Sequence, residues 1–519
     1  MNKSAFLFQR LSGIYPLQLL TAAVCGGINV FAFAPYGHWW LQIITMGVLF
    51  LMLTQGASMR RAVLLAWVYG SFSSGVTVFW ITTAMSVYGG MPMLLAVLAL
   101  ALLAMFLGAY TALFAWLARR VQARAGLGRS LLLAFPACWV LSEWLRGWLF
   151  TGFPWDIAGY AHTTSPLAGY APLLGVYGLS ALSAALSAML AWIVCGKGRL
   201  PRQITAVLCM AAIMASGALL QQHRWTADVG RPMTVRLLQG NVKQDMKFNE
   251  SHLLDSLSLY YGMITSKPAD LIVTPETALP IITAALPPDY LPRLNEFVQQ
   301  SGSALLLGVA VQDAPEAFTN SMLGFSRDYA ARNYRYDKAH LLPFGEFIPP
   351  GFRWFVKMMN IPIGDFKSGG WQQAPMKVGD QYVMPDICYE SLFGEEIASQ
   401  LNRQAAAGGP VASVLLNASN LAWYDDSVAM PQHLQFATMR VLETGRPWIA
   451  ATNTGATAVI GADGQIQAQA PYLQKFSLEA NVQGRSGLTP YIRFGNWPVL
   501  MIAAAFLLLT WLKPVRQRS

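Results

Sequence analysis

The stretch MPDICYES, residues 384–391, ends an apolar run and leads into a polar turn. The run from 381 to 387 is typical of a strand, so we expect a strand end to carry Cys388 into that turn. Catalytic nucleophiles commonly occupy strand-end turns, where they are exposed to substrate and close to backbone N–H donors. Taken alone, Cys388 fits a buried core thiol better than a nucleophile, because free cysteine is among the most buried residue types.

Two further segments carry groups that a cysteine nucleophile needs. The stretch LIVTPETALP, residues 271–280, places Glu276 where an apolar strand ends in a turn bracketed by prolines. The stretch YDKAHLLPFGE, residues 336–346, contains Lys338 and Glu346. Taken alone, Glu276 could be a turn carboxylate paired with an arginine, and Lys338 a surface charge. The order Glu, Lys, Cys behind apolar strands favours a catalytic set over three unrelated residues.

The region around these segments alternates between two kinds of pattern. Short, nearly continuous apolar runs predict strands at 234–239, 271–274, 304–310, 381–387, 411–416 and 448–452. Amphipathic stretches predict helices at 251–265, 288–301, 394–406 and 432–445. Such alternation indicates a layered α/β domain. The sequence contains no phosphate-binding loop, no paired CxxC and no HExxH, so we predict neither a nucleotide nor a metal cofactor.

The rest of the chain has the composition of a membrane protein. Of its 519 residues, 54% are hydrophobic and only 12% charged, against about 25% charged in soluble proteins. Apolar runs long enough to span a bilayer occur at about 15–34, 39–55, 62–84, 92–118, 130–148, 170–195, 204–220 and 495–512. We therefore predict a transmembrane bundle of about eight spans over 1–220 and 495–519, with an extracytoplasmic domain over 221–494.

Basic residues predict the orientation of these spans. Lysine and arginine cluster before the first span and after the second, fourth, sixth and eighth, while the short loops between contain neither. Under the positive-inside rule both termini are then cytoplasmic and the polar region lies outside. This distribution accounts for much of the net charge of +10, so we predict no nucleic-acid partner.

The three motifs resemble the nitrilase superfamily, whose catalytic residues are Glu, Lys and Cys. The stretch KAHLLPFGEFIP, residues 338–349, and the spans around the domain resemble the bacterial apolipoprotein N-acyltransferase family. This resemblance implies an αββα sandwich and a multi-pass protein of the inner membrane, with its catalytic domain in the periplasm. It implies phosphatidylethanolamine as the phospholipid acyl donor, a diacylated apolipoprotein as the acceptor, and no cofactor.

The resemblance also implies a role for each of the three residues. Glu276 would accept the proton of Cys388, whose thiol would otherwise be mostly un-ionised at neutral pH. The sulfur would attack a phospholipid ester, and Lys338 with the Tyr389 backbone N–H would stabilise the oxyanion. The acyl chain would then pass from a Cys388 thioester to the α-amino group of the acceptor.

Supporting residues are less sharply defined by the sequence. Glu346 and Glu390 resemble further acidic positions in the active site of the family, where they would hold Lys338 or orient the amine. Structural ion pairs are the alternative for both carboxylates. The ring of Tyr389 would either take part in the site or simply pack.

Candidate substrate-binding residues are mainly aromatic. Phe248 stands where members of the family often have tryptophan. Asn417 and Trp423 follow a predicted strand and would line the pocket, with ordinary packing as the alternative for Trp423. The stretch 352–364 is rich in Trp, Phe and Met between basic residues, which suits a lid at the membrane interface or, alternatively, a buried connection; the lid residues would be Trp354, Phe355 and Met358.

Two other functions use the same sequence features. A membrane-anchored nitrilase-type amidase would have the same three residues, with water attacking the thioester. A transporter with an outer ligand-binding domain would not need Cys388. Against transport, the spans hold few ionisable residues, Glu143 and Arg146 being exceptions, and such residues mark transport pathways.

Overall fold

The computed structural model describes residues 15–55, 58–195, 200–244, 250–315, 317–349, 351, 353–354 and 366–512. The chain forms two compact units. We call the first the helical unit; it comprises Met1–Phe79, Leu94–His223 and Phe494–Ser519. We call the second the sandwich unit; it comprises Trp80–Met93 and Arg224–Arg493.

The helical unit is built from apolar helices. They are α1 (Tyr15–Ile28), α2 (Trp39–Thr54), α3 (Met59–Thr77), α4 (Met93–Ala125), α5 (Phe135–Arg146), α6 (Ala171–Cys195), α7 (Leu200–Leu220) and, late in the chain, α12 (Trp497–Trp511). A core cluster that includes Leu49, Phe50, Phe114 and Trp139 lies between them. Glycines allow close approach, because a Cβ at Gly26 would lie 2.3 Å from the Tyr69 carbonyl oxygen.

The expected number of about eight spans is not confirmed. Among the described residues four helical segments are long and apolar enough to cross a membrane, or five if a bent pair counts as one span. The helices α2 and α12 have 16 and 15 residues, and α5 follows a π-helical turn at Ser130–Ala134. The sequence predicted spans at these segments because the apolar residues continue past the ends of the helices.

The predicted span 62–84 is not one straight helix. The chain bends by 62° between Met59–Thr77 and Ile81–Tyr88. The Trp80 ring meets the Tyr424 ring edge-on at 4.4 Å, and its indole N–H donates to Gln432 Oε1 at 3.3 Å. These contacts connect the segment after the bend to the sandwich unit, to which Trp80–Met93 belongs. The sequence had predicted that this segment is part of a span.

The sandwich unit contains two large sheets. Its strands are β1 (Ala227–Asp228), β2 (Met233–Gln239), β3 (Leu271–Val273), β4 (Leu279–Ile282), β5 (Ala304–Ala314), β6 (Ala317–Phe325), β7 (Tyr334–Asp337), β8 (Met376–Val378), β9 (Gln381–Ile387), β10 (Val414–Ser419), β11 (Trp448–Thr452), β12 (Ala458–Ile460), β13 (Ile466–Gln469), β14 (Phe476–Val482) and β15 (Arg485–Ser486). One sheet has the order β14-β2-β3-β5-β6-β7, with β4 on β5. The other has the order β13-β12-β11-β10-β9-β8, and β1 pairs with β15.

The side chains of each strand point alternately to the two faces of its sheet, and the two sheets with their helices form four layers. Val235, Leu306 and Val383 belong to a core cluster shared by the inner faces of both sheets. Outward residues of the first sheet pack with α8 (Glu250–Thr265) and α9 (Tyr290–Ser301). Outward residues of the second sheet pack with α10 (Gly394–Ala406) and α11 (Ala429–Thr444). The result is an α-β-β-α sandwich, and strands buried on both faces explain the continuous apolar runs in the sequence.

Candidate active site

Cys388 lies in a tight turn at the carboxyl end of β9. Its φ is +55°, which is strained for a non-glycine residue and requires support from its surroundings. Its carbonyl oxygen accepts hydrogen bonds from Asn417 Nδ2 and Ser391 Oγ, both at 3.1 Å. Cys388 is half-buried between the buried Ile387 and Tyr389. The residue is therefore only partly accessible, and its backbone is held by contacts to its carbonyl oxygen.

Glu276 follows β3 and lies beside this thiol. Its carboxylate hydrogen-bonds the Cys388 side chain. The Asn420 backbone N–H donates to Glu276 Oε2 at 3.0 Å, and Asn320 Nδ2 donates to Oε1 at 2.7 Å. The side chain is only 10% exposed. Glu276 is thus oriented by donors on other strand ends, with an oxygen available to the thiol proton.

The turn of Glu276 is held by close packing against β5. Thr274 Oγ1 accepts from the Gly308 backbone N–H at 2.9 Å, and the Thr274 N–H donates to the Leu306 carbonyl at 3.0 Å. A Cβ at Gly308 would lie 2.1 Å from the Pro275 carbonyl oxygen. Only glycine therefore fits on β5 at this point.

Lys338 is buried between two carboxylates at the end of β7. Its Nζ lies 2.9 Å from Glu346 Oε1 and 3.4 Å from Glu276 Oε1, and its side chain is 1% exposed. Burial alone would lower the pKa of Lys338, but the charges of Glu346 and Glu276 outweigh it and raise the pKa well above its usual value. Lys338 therefore stays a cation at neutral pH.

Asn320 on β6 joins the two carboxylates. Its Nδ2 donates to Glu276 Oε1 at 2.7 Å and to Glu346 Oε1 at 2.8 Å. Both carboxylates also contact Lys338, so one ammonium and one amide share two negative groups. This arrangement keeps Glu276 from rotating away from the cysteine. Asn320 could not be singled out from the sequence, since a single polar residue in a strand forms no motif.

Glu390 fastens the lysine segment to the cysteine turn. Its Oε1 accepts from the backbone N–H groups of Ala339 at 2.7 Å and His340 at 3.0 Å. Its Oε2 accepts from the Ile387 N–H at 2.6 Å and the Tyr336 hydroxyl at 3.1 Å. These donors lie next to Lys338 on one side and Cys388 on the other. The pKa of Glu390 is raised to about 7, because the effect of burial outweighs the backbone donors and the charge of Lys338, which lower it.

The thiol itself is in a place that disfavours the thiolate. Burial first, and the charge of Glu276 second, raise the pKa of Cys388 well above its usual value, although Lys338 lowers it. A free thiolate is therefore scarce at neutral pH. Attack by the sulfur would therefore need a proton acceptor beside the thiol.

The remaining candidates lie in several different environments. The Tyr389 ring is buried and packs 5.2 Å from Phe393 and 5.7 Å from His340. Asn417 is fully buried and lies behind the cysteine, where it holds the Cys388 carbonyl.

Trp423 is half-buried with its ring edge-on to Tyr88 at 6.0 Å. Trp354 is 63% exposed, while Phe248, Phe355 and Met358 lie outside the described residues.

Tyr424 is another neighbour that the sequence did not single out. Burial first, then the charges of Cys388 and Glu276, raise the pKa of its hydroxyl. The neighbouring Trp80 ring comes from the segment after the bend in the apolar region. Aromatic residues therefore flank the reacting groups. Within the described ranges no cluster of three or more His, Cys, Asp or Glu side chains is arranged to hold a metal ion.

The sandwich and its Cys-Glu-Lys cluster place the protein in the nitrilase class. Residues 234–491 match the carbon-nitrogen hydrolase family, and residues 25–189 match the N-terminal domain of apolipoprotein N-acyltransferase. The chain is 47% identical to the apolipoprotein N-acyltransferase of Ralstonia nicotianae, over 92% of this chain and 90% of that protein. It therefore belongs to the apolipoprotein N-acyltransferase family.

A second relative agrees with this family, and the chain also aligns with solved structures. Identity is 41% to the apolipoprotein N-acyltransferase of Chromobacterium violaceum, over 96% of this chain and 95% of that protein. An amidase from Nesterenkonia aligns over 55% of this chain and 98% of its own, at 17% identity and TM-score 0.36. A carbon-nitrogen hydrolase from Helicobacter pylori aligns over 55% and 99%, at 18% identity and TM-score 0.34. Both TM-scores are below 0.5, so the sequence matches alone define the family.

Replacing Glu390 by glutamine is expected to lower acyl transfer by about 10- to 100-fold, because small displacements of reacting groups have effects of that size. In the parent protein several N–H and O–H groups donate to the Glu390 carboxylate. In the variant some of them would face the glutamine NH₂ group, which cannot accept a hydrogen bond. Steady-state kinetics with purified protein measure this effect. Glu396→Gln is the matched control, since Glu396 is a half-buried carboxylate that contacts His340 at 2.9 Å without touching the cysteine turn. Equal activity in both variants would contradict the positioning role of Glu390.

Replacing Gly308 by alanine is expected to destabilise the protein by about 1–3 kcal/mol, the usual effect of an overpacked core. The new methyl group would push the Pro275 carbonyl and displace the turn that carries Glu276. Thermal unfolding in detergent and transfer activity both measure it, and both should fall. Gly262→Ala on α8 is the control, because a Cβ there meets nothing within 4 Å. An unchanged melting temperature for Gly308→Ala would contradict the close approach.

Proposed function

We propose that the protein transfers a fatty acyl chain from a glycerophospholipid to the α-amino group of the N-terminal diacylglyceryl-cysteine of lipoproteins. The main support is the half-buried Cys388, whose side chain is hydrogen-bonded to Glu276 beside the buried Lys338 cation. Membership of the apolipoprotein N-acyltransferase family supports the acceptor class. The donor that we propose is phosphatidylethanolamine.

The first half-reaction forms a thioester. Glu276 accepts the thiol proton while the Cys388 sulfur attacks the ester carbonyl carbon. Lys338 and the Tyr389 backbone N–H stabilise the negative charge that develops on the carbonyl oxygen. The carbon–oxygen bond of the ester then breaks, and Glu276 returns the proton to the departing lysophospholipid oxygen. The acyl chain remains on Cys388.

The second half-reaction forms the amide. The α-amino group of the diacylated acceptor attacks the thioester carbonyl, and Glu276 accepts a proton from the nitrogen. The carbon–sulfur bond breaks, and the proton passes from Glu276 to the Cys388 sulfur. The enzyme is then ready for the next donor, as in a ping-pong reaction.

The proposed location follows from the helices and the basic residues. We propose that α1–α7 and α12 cross the bacterial inner membrane, with both termini in the cytoplasm and the sandwich unit in the periplasm. The distribution of lysine and arginine between successive apolar runs supports this orientation. Fusions of alkaline phosphatase after residue 230 and after residue 519 test it, and only the first should be active.

Transfer is tested with purified full-length protein, phosphatidylethanolamine carrying a labelled acyl chain, and a synthetic diacylated lipopeptide. We expect the lipopeptide to gain one labelled chain. A lipopeptide with an acetylated α-amino group is the control and should gain none. Release of labelled free fatty acid at the same rate with either lipopeptide, and no acylated product, would favour a hydrolase, the alternative suggested by the carbon-nitrogen hydrolase match.

A further inference from the structure

The helical unit contains a large apolar cavity that the acyl-transfer reaction does not use. Its volume is about 640 Å³, and it lies between α5, α6, α7 and α12. Its walls are mostly aliphatic and small side chains, for example Val140, Ala181, Ala185, Cys209 and Ile502. An empty space of this size would leave its lining without dispersion contacts.

Small residues face this space instead of a neighbouring helix. Elsewhere in the unit, a Cβ at Gly217 would lie 2.4 Å from the Pro166 carbonyl oxygen, as expected where backbones pack closely. The three atoms nearest to a Cβ at Gly178, which lines the cavity, all belong to Leu174, the closest at 2.1 Å. The cavity wall on α6 also includes Ala181 and Ala185, whose short side chains leave the space beside them open.

One end of the cavity is positively charged. Arg202 and Thr205 line it at the first turns of α7, where the helix N-terminus also favours an anion. At this end the cavity thus combines an apolar wall with groups that attract a phosphate.

The depth of the cavity matches one leaflet of a bilayer. The lining residues of α7 run from Arg202 to Ile213, which is about 17 Å along a helix that rises 1.5 Å per residue. Half of a hydrocarbon core of about 30 Å is similar. A single acyl chain with its headgroup at Arg202 satisfies both the length and the charge.

We propose that this cavity binds an anionic phospholipid, with one acyl chain between α5, α6, α7 and α12 and its phosphate at Arg202. The positive-inside rule assigns the Arg202 end to the cytoplasmic side, whereas the acyl donor is used by a domain that we place in the periplasm. This lipid is therefore a bound component of the helical unit and not the substrate of Cys388.

Native mass spectrometry of delipidated full-length Cys388→Ala protein tests the proposal, since this background prevents acyl transfer. Phosphatidylglycerol and phosphatidylcholine with identical acyl chains are titrated separately. We expect one phosphatidylglycerol per chain to bind at least fivefold more tightly. Adding Arg202→Ala should reduce the preference below twofold, while Arg120→Ala, at an exposed arginine on α4, should leave it unchanged.

A second variant tests the cavity independently of charge. Ala185→Trp should fill the space and remove binding of both lipids, whereas Leu208→Trp, on an exposed part of α7, should not. Melting temperatures show that the variants are folded. Equal binding of the two lipids by the parent protein, or unaltered binding in both Arg202→Ala and Ala185→Trp, would overturn the proposal. A dimer that Ala185→Trp dissociates without any effect on lipid binding would also overturn it, and would assign the cavity to a second copy of the chain.

Discussion

Cys388→Ala protein is expected to lose acyl transfer by about 10⁴-fold or more, the scale seen when a covalent nucleophile is removed. Cys388 is half-buried at a strained turn, and the proposed thioester cannot form without its sulfur. Transfer of labelled acyl chain to a diacylated lipopeptide measures the loss. The alanine variant should melt near the parent temperature, because its turn is held by contacts to the backbone carbonyl.

Cys25→Ala is the matched control for this variant. Cys25 is a half-buried cysteine on α1, outside the sandwich unit, and its replacement should leave transfer unchanged. Transfer by Cys388→Ala within tenfold of the parent would contradict a covalent role. A ligand-binding domain of a transporter would then become the better interpretation.

Glu276→Gln protein is expected to form the thioester about 10² to 10⁴-fold more slowly, the usual contribution of a general base. The amide cannot accept the thiol proton. Asn320 and the Asn420 N–H would also face an altered group. Single-turnover formation of acyl-enzyme measures the effect without the amine step. Glu396→Gln is the control, because that carboxylate lies on α10 beside His340.

The pH dependence separates a general base from a preformed thiolate. Burial and the charge of Glu276 raise the pKa of Cys388, so below that pKa the thiolate fraction rises tenfold with each pH unit. The parent protein should nevertheless form thioester at a nearly constant rate between pH 7 and 9, since Glu276 accepts the proton. In Glu276→Gln the rate should rise about tenfold per unit. A tenfold rise per unit in the parent would contradict the role of Glu276.

The sequence patterns predicted a layered α/β domain because their signals are local, and the resemblance to the nitrilase superfamily added the sandwich. Runs such as 304–310 are apolar on both faces and lie in the interior of the sheets, where both faces are covered. Glu276 and Cys388 each follow such a strand, and Lys338 follows β7, whose residues are buried alternately, so strand ends bring the three together. Their catalytic roles stay predictions until the variants are measured.

The supporting contacts were harder to predict because they join distant parts of the chain. Asn320 contacts Glu276 across 44 positions and Asn420 contacts it across 144. No spacing rule links such residues. We predicted that Asn417 lines the pocket. Its side chain is buried behind the cysteine and donates to the Cys388 carbonyl. The direction of a side chain at a strand end depends on the twist and register of the sheet.

The membrane part was less well predicted than the sandwich. Hydropathy alone cannot place a helix end inside a continuous apolar run. It therefore missed the bend after Thr77, where Trp80 turns to contact Tyr424. The number of spans depends on how α2, α5 and α12 are counted, and cysteine accessibility along each helix would decide it.

The most direct test of the proposed thioester is the intact mass of the purified protein after incubation with phosphatidylethanolamine. The account predicts a gain equal to one fatty acyl chain, located on Cys388, absent in Cys388→Ala and discharged by a diacylated lipopeptide. Absence of any acyl adduct on Cys388, with phosphatidylethanolamine or with other phospholipids, would contradict it.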